Sequence, residues 1–214
     1  MLNKVFDDLY AFFWTSQLEN NCNTYLILGE ENILIDPGHA HLFDHVLQGL
    51  ASLNLSLNQI DTVLITHGHP DHIEGMLQFE PGTRFGISKK EYDFIMEYTA
   101  GKITLPTPDL DLAEGELVLG GVHLEILETP GHSPGEVCIY WPQHKTLFSG
   151  DLVFEGSLGR TDLPRGSAAE IKDSIRKVAG LEIDLVLPGH GGPVQGAAYV
   201  QQNFRDIEGL FPYL

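Results

Sequence analysis

Four times in this 214-residue chain an apolar run ends at a Gly-containing turn that carries a histidine or an aspartate. Thr62–Ile65 leads into Thr66-His67-Gly68-His69-Pro70-Asp71-His72. His123–Leu127 leads into Thr129-Pro130-Gly131-His132. Thr146–Ser149 leads into Gly150-Asp151, and Asp184–Leu187 into Pro188-Gly189-His190. An apolar, β-branched run closed by Gly or Pro reads as a buried strand that delivers a loop at its C-terminal end. Open α/β sheets gather their sites at those ends, so the four turns are expected to converge on one edge. Imidazole nitrogen and carboxylate oxygen are ligands for zinc and similar divalent ions. Buried without partners, such a cluster is costly, which disfavours a purely structural role.

The first third of the chain reads as β, β, β, α, β and a loop. Val5–Trp14 is aromatic-rich, and Thr24–Leu28 and Ile33–Asp36 flank the turn Gly29-Glu30-Glu31-Asn32 as a hairpin. Leu42, Val46, Leu50 and Leu53 recur at helical spacing between His41 and Leu53. A short helix is expected over Ile73–Leu77, a strand over Arg84–Ile87 and a helix over Lys89–Tyr98. Gly101–Gly115 reads as an exposed loop or a flap over a site. Strands at Leu117–Leu119 and His123–Leu127 meet at Gly120-Gly121. Val137–Trp141 and Thr146–Ser149 form the next pair. Ser167-Ala168-Ala169-Glu170 is a capping-box pattern opening a helix to about Ala179, and a last helix covers roughly Ala197–Glu208.

Composition narrows the partners. Thirty acidic residues against 12 basic give a net charge of −18. Nucleic acid and anionic membrane surfaces both need a basic face, so a small-molecule substrate is expected instead. Cys22 and Cys138 are too few and too far apart for a disulfide framework and read as small buried hydrophobes. The start of the chain carries neither a signal peptide nor a membrane-span pattern, which predicts a reducing, cytoplasmic setting.

The set His67-x-His69-x-Asp71-His72, followed by His132, Asp151 and His190 and preceded by Asp36 in Ile35-Asp36-Pro37-Gly38, resembles the metallo-β-lactamase superfamily. The resemblance runs from about Asn21 to about Gly192. It implies an α/β (α+β) fold, the αββα sandwich of two mixed β-sheets flanked by helices, here one domain over 1–214. It also implies two divalent metal ions, zinc foremost, with iron or manganese as alternatives. His67, His69 and His132 would hold the first ion and Asp71, His72 and His190 the second. Asp151 would bridge them, with Asp71 and Asp151 as the catalytic carboxylates and a metal-bridging hydroxide as nucleophile. Asp36 and Thr66 are candidates to orient the ligands from behind. His39, His41, His45, His123 and His144 lie outside the set and read as solvated or satisfied side chains.

Gly156–Gly166, with Gly159-Arg160-Thr161-Asp162 at its centre, resembles the glyoxalase II and persulfide dioxygenase branch. Arg160 and Asp162 read as an ion pair that shapes the loop; the alternative is that Arg160 or Arg165 meets a carboxylate of a glutathione-like substrate. Only 191–214 follow His190, so the chain resembles a short glyoxalase II-like protein lacking the C-terminal helical glutathione-binding domain of the long type. The function expected is hydrolysis of a thioester such as S-acylglutathione. The alternatives are a mononuclear iron persulfide dioxygenase, using His67, His132 and Asp151, and a lactonase.

Overall fold

The computed structural model describes residues 2–214. The apolar runs form two sheets. The first has seven strands in sequence order: β1 (Leu2–Lys4), β2 (Leu9–Phe12), β3 (Thr24–Ile27), β4 (Ile33–Ile35), β5 (Thr62–Leu64), β6 (Arg84–Ile87) and β7 (Leu110–Asp111). β1 to β4 pair antiparallel and β4 to β7 parallel, so the sheet is mixed. The second sheet draws on β8 (Gly115–Leu119), β9 (Val122–Glu128), β10 (Val137–Trp141), β11 (Thr146–Gly150), β14 (Leu185–Pro188) and β15 (Val194–Gln195). Its order is β15-β14-β11-β10-β9-β8, with β11 and β14 parallel. A small ribbon, β12 (Val153–Phe154) with β13 (Ser157–Leu158), follows Asp151.

Side-chain alternation explains the layering. Tyr25, Ile27, Ile33, Ile35 and Leu64 face the second sheet and meet Leu124, Ile126, Ile139, Phe148 and Leu187 in a central core. Leu26, Leu34, Val63 and Phe85 point the other way, onto α1 (Asp44–Ser52) and α3 (Lys89–Tyr98), through Val46, Leu50 and Ile95. Cys138, Tyr140, Leu147 and Val186 pack on α4 (Ala168–Ala179) and α5 (Ala197–Glu208), through Ile171, Ile175, Val200 and Phe204. The result is four layers, α/β/β/α, as the resemblance implies. Burying each such Leu, Ile or Phe contributes about 1.5–3 kcal/mol. Both cysteines are free and buried, and burial pushes each thiol up. Among the described residues no helix is long and apolar enough to cross a membrane.

Several elements differ from the sequence expectation. The helix expected at Ile73–Leu77 begins earlier, as α2 (Pro70–Ile73), and continues as a 3-10 turn, Glu74–Gln78. Pro70 occupies the first helical turn, where its missing N–H costs nothing, so Asp71 and His72 ride on a helix rather than a loop. The stretch Gly101–Gly115 is not wholly loop, because β7 adds to the first sheet's edge beside β6. The helix expected from His41 starts at Asp44, after a 3-10 turn at Ala40–Leu42. At α4, Ser167 Oγ accepts from Glu170 N–H (3.2 Å), as the capping pattern implies.

Candidate metal centre

The C-terminal ends of β4, β5, β9, β11 and β14 lie along one edge of the sandwich and carry Asp36, His67, His132, Asp151 and His190. Hydrogen bonds tie the two sheets together there. Asn23 N–H donates to Gly189 O (2.6 Å), Asn23 Nδ2 to Pro188 O and Gly191 O (both 2.9 Å), and Tyr25 Oη to Pro188 O (2.6 Å). A Cβ at Gly189 would stand 2.4 Å from Asp151 Oδ1 and 2.6 Å from His72 Cε1, so only glycine lets this turn pass.

Three donor groups result, each with its atoms within 4.8 Å of one another: His67, His69 and His132; His67, His72 and Asp151; and Asp71, His72 and His190. Asp151 spans them. Its Oδ1 is 3.4 Å from His72 Nε2, and its Oδ2 is 3.4 Å from His132 Nε2 and 3.5 Å from His190 Nε2. Asp71 Oδ2 is 3.3 Å from His190 Nε2 and accepts from Asn20 Nδ2 (2.5 Å).

Neighbouring groups fix the ring tautomers. Asp36 Oδ2 accepts from His72 Nδ1–H (2.9 Å) and from Thr66 Oγ1–H (2.7 Å), while Asp36 Oδ1 accepts from Thr66 N–H (2.8 Å). With its own proton given to Asp36, Thr66 Oγ1 receives His67 Nδ1–H (3.1 Å). His132 Nδ1–H donates to Arg160 O (2.8 Å). In all three rings this leaves Nε2 aimed into the cluster.

The donor set fits a metal. The buried atoms His67 Nε2, His72 Nε2 and Asp151 Oδ1 have no hydrogen-bond partner. His132 Nε2 and His69 Nδ1 face each other at 2.9 Å, a poor arrangement for two lone pairs and a good one for a shared cation. Nitrogen and carboxylate donors in this number suit zinc, iron or manganese.

Charge is distributed unevenly without metal. Burial, reinforced by neighbouring rings, holds His67 well below the usual histidine range and His69 at about 4. Burial acts the same way on His72, but Asp151 and Asp36 outweigh it and lift that ring well above its ordinary value. His190 is likewise lifted against burial, to about 9, by Asp151 and Asp71. Burial also opposes ionisation of Asp71 and Asp151, yet the facing histidines hold both carboxyls below the usual carboxylate range. A metal takes neutral imidazole, so loading must expel the His190 proton below about pH 9. Metal affinity is therefore expected to weaken as pH falls from 9, by about tenfold per unit for each proton displaced. Titrating metal into weakly buffered protein at neutral pH should release at least one proton per chain, read by pH-stat.

Asp36 is expected to matter directly through His72 and, by way of Thr66, through His67. Asp36→Ala should weaken metal binding by about 10–100-fold, because the His72 ring loses the partner that fixes its tautomer. A competition titration with a chromogenic chelator measures this.

Two buried carboxyls escaped the sequence reading. Glu91, on α3, accepts from Gly68 N–H (2.9 Å), Gly135 N–H (2.7 Å) and Ser133 Oγ–H. It joins the loop bearing His67 and His69 to the loop bearing His132. Glu136 Oε1 accepts from Asp151 N–H (2.9 Å) and lies 3.9 Å from His67 Nδ1. Burial and the Asp151 charge push the Glu136 carboxyl well above its ordinary value. An acid placed directly before the wholly buried strand Val137–Trp141 was the available signal for Glu136.

The arginines of the 156–166 loop are both engaged. Arg160 forms a two-pronged pair with Asp162 (Nε–Oδ1 and NH2–Oδ2, both 2.7 Å). Arg165 pairs with Glu97 (3.0 Å) and lies over the Phe94 ring. Arg160 lines the cleft beside the cluster, whereas Arg165 lies outside it. Of the remaining histidines, His39 meets Glu74 (2.8 Å), His45 the Leu42 carbonyl (2.9 Å), His123 Glu116 (2.8 Å) and His144 Asp8 (3.7 Å). His39, His41 and Glu74 also come within 4.8 Å of one another.

Comparison with known proteins agrees with this geometry. The sequence model of the metallo-beta-lactamase superfamily matches residues 18–190. The chain is 35% identical over 191 residues to hydroxyacylglutathione hydrolase GloC of Haemophilus influenzae, covering 81% of this chain and 86% of that protein. It is 29% identical to TTHA1623, solved in a di-iron-bound form, with a TM-score of 0.69 over 94% of this chain and 98% of that one. The metallo-beta-lactamase family protein TTHA1429 of Thermus thermophilus shares the fold, with a TM-score of 0.81 at 23% identity over 98% of this chain and 81% of that one. With that superfamily's pattern spanning residues 18–190 and a 35% identical relative covered over 86% of its length, the chain belongs to the metallo-β-lactamase superfamily.

Proposed function

We propose that this protein is a binuclear metallohydrolase acting on a thioester such as an S-acylglutathione. The observation that carries the two-ion reading is Asp151, whose carboxylate stands beside His132 of one donor set and His72 and His190 of the other. His67, His69 and His132 would hold one ion, Asp71, His72 and His190 the other, and Asp151 both. When bound, such ions supply Lewis acidity, which acidifies water toward neutral pH and polarises a carbonyl. The likeness to GloC of Haemophilus influenzae supports the thioester as substrate.

The reaction adds water across the acyl carbon–sulfur bond. A C–O bond forms, the C–S bond breaks, and the products are a carboxylate, a thiol and one proton. The chain's own residues prepare that exchange. Asp71, held ionised by His190 and His72 and steadied by Asn20, orients an attacking water by accepting its hydrogen at a carboxylate oxygen. Asp36 and Thr66 keep the His72 and His67 rings from turning. The proton leaves to solvent through the open side of the cluster, where the His190 side chain is 27% exposed.

A reducing, cytoplasmic setting fits the two free, buried thiols. The surplus of acidic residues supports a small-molecule substrate over nucleic acid or an anionic membrane surface. The test is metal content of protein purified without added metal, measured alongside a thioester assay. Close to two ions per chain with thioester hydrolysis supports the reading. A single iron, no thioester turnover, and oxygen consumption with glutathione persulfide would replace it with a persulfide dioxygenase.

A further inference from the structure

The cleft beside the donor cluster encloses about 490 Å³. Its floor is polar and made by His69, Asp71, His132, Asp151 and His190. Its walls are not. Phe94, Ile95, Tyr98 and Ile103 come from α3 and the turn after it, and Leu163 and Pro164 from the loop opposite. Tyr98 is 65% and Ile103 39% exposed, so large apolar side chains are left facing water at the rim of a reaction site. Apolar side chains kept at such a rim mark a surface that something apolar covers.

The walls also lack a free lysine or arginine. Among the described residues that line the cleft, Arg160 is the only lysine or arginine, and its guanidinium is bound two-pronged to Asp162. A tripeptide leaving group with two carboxylates finds no free lysine or arginine between these walls. The group that lies along them is therefore the one on the other side of the scissile carbonyl.

We infer that the Phe94–Ile103 face and Leu163-Pro164 form an acyl pocket, and that the substrates are thioesters of apolar acids, straight-chain, branched or aromatic, rather than of small hydroxy acids. This rests on the thioester reading of the same site. An apolar acyl chain running from the polar floor along α3 would shield Phe94, Ile95 and Ile103. A lactoyl group would leave them wet.

The experiment has two arms on the metal-loaded protein. The first measures kcat/KM for S-acetyl-, S-butanoyl-, S-hexanoyl- and S-lactoylglutathione. The second measures binding of the free acids, acetate to hexanoate and lactate, by calorimetry, and needs no turnover. Both should strengthen by about threefold per added methylene, on the order of a hundredfold from acetyl to hexanoyl, with lactoyl near the acetyl end. Ile103→Ser and Phe94→Ser should flatten the slope, while Leu47→Ser, at an exposed position on α1, should leave it unchanged. A chain-length slope in acid binding without thioester turnover would refute the reaction and support the pocket. A flat acid series, or lactoyl preferred over hexanoyl, would overturn the pocket and leave the reaction standing.

Discussion

On the proposed two-ion reading, Asp151→Ala is expected to abolish hydrolysis, lowering kcat/KM by on the order of 10³-fold, and to reduce bound metal. Asp151 is the residue whose oxygens reach His72, His132 and His190 together, so no neighbouring carboxylate can replace it. Asp71 approaches only the His190 side, and Glu136 touches Asp151 through the backbone. Removing the charge also withdraws what lifts His72 and His190 against burial, so both rings should lose their protons at lower pH in the metal-free variant. Asp151→Asn, which keeps shape but not charge, should fold and still lose metal. Elemental analysis with far-UV circular dichroism separates a lost site from a lost fold. Full activity in either variant would place the chemistry outside this cluster.

Glu91→Ala should cost stability and metal affinity together. Three donors, Gly68 N–H, Ser133 Oγ–H and Gly135 N–H, would lose their acceptor, the last two at buried positions and the first at a half-buried one. At about 1 kcal/mol or more for each, the loss is about 3–5 kcal/mol, or roughly 10 °C in melting temperature for a chain of this size. Because the bonds join the His67–His69 loop to the His132 loop, metal affinity should fall by about 10–100-fold. Glu91→Gln keeps one acceptor oxygen and should recover part of both losses. Differential scanning calorimetry of metal-free protein isolates the stability effect. Unchanged affinity in a destabilised Glu91→Ala would make Glu91 a core residue with no bearing on the site.

The donors were legible in the sequence because each follows an apolar run and a Gly turn, and strand ends in such sheets collect on one edge. The layers came from the resemblance; every residue of Thr24–Ile27 and Ile33–Ile35 is buried, so only the structure says which side chains face which core. What escaped were features whose cause lies far along the chain. β7, β12, β13 and β15 are two-residue strands that exist only because a partner is beside them. Glu91 is a sharper case. Ser88-Lys89-Lys90-Glu91 looks like a helix start, and Ser88 Oγ does accept from Glu91 N–H (3.1 Å). Its carboxyl, however, turns to partners at 68, 133 and 135, a choice no local pattern encodes. The Arg160–Asp162 pair could be named from the sequence only as an alternative, the Arg165–Glu97 pair not at all, and the loop geometry favours carboxylates within the chain for both.

The division of donors between the two sheets has a consequence for how the protein matures. His67, His69, Asp71 and His72 leave the ribosome early and together, at the end of a parallel strand of the first sheet. His132, Asp151 and His190 follow on separate strands of the second, and His190 waits for β14, which pairs with β11 across α4. Domains begin to form from the N-terminus during synthesis, and non-local strand pairing is the slow part. The nascent chain thus carries a partial set of imidazoles well before it can offer a complete coordination sphere. A complete coordination sphere therefore has to wait for β14, the last strand to deliver a donor.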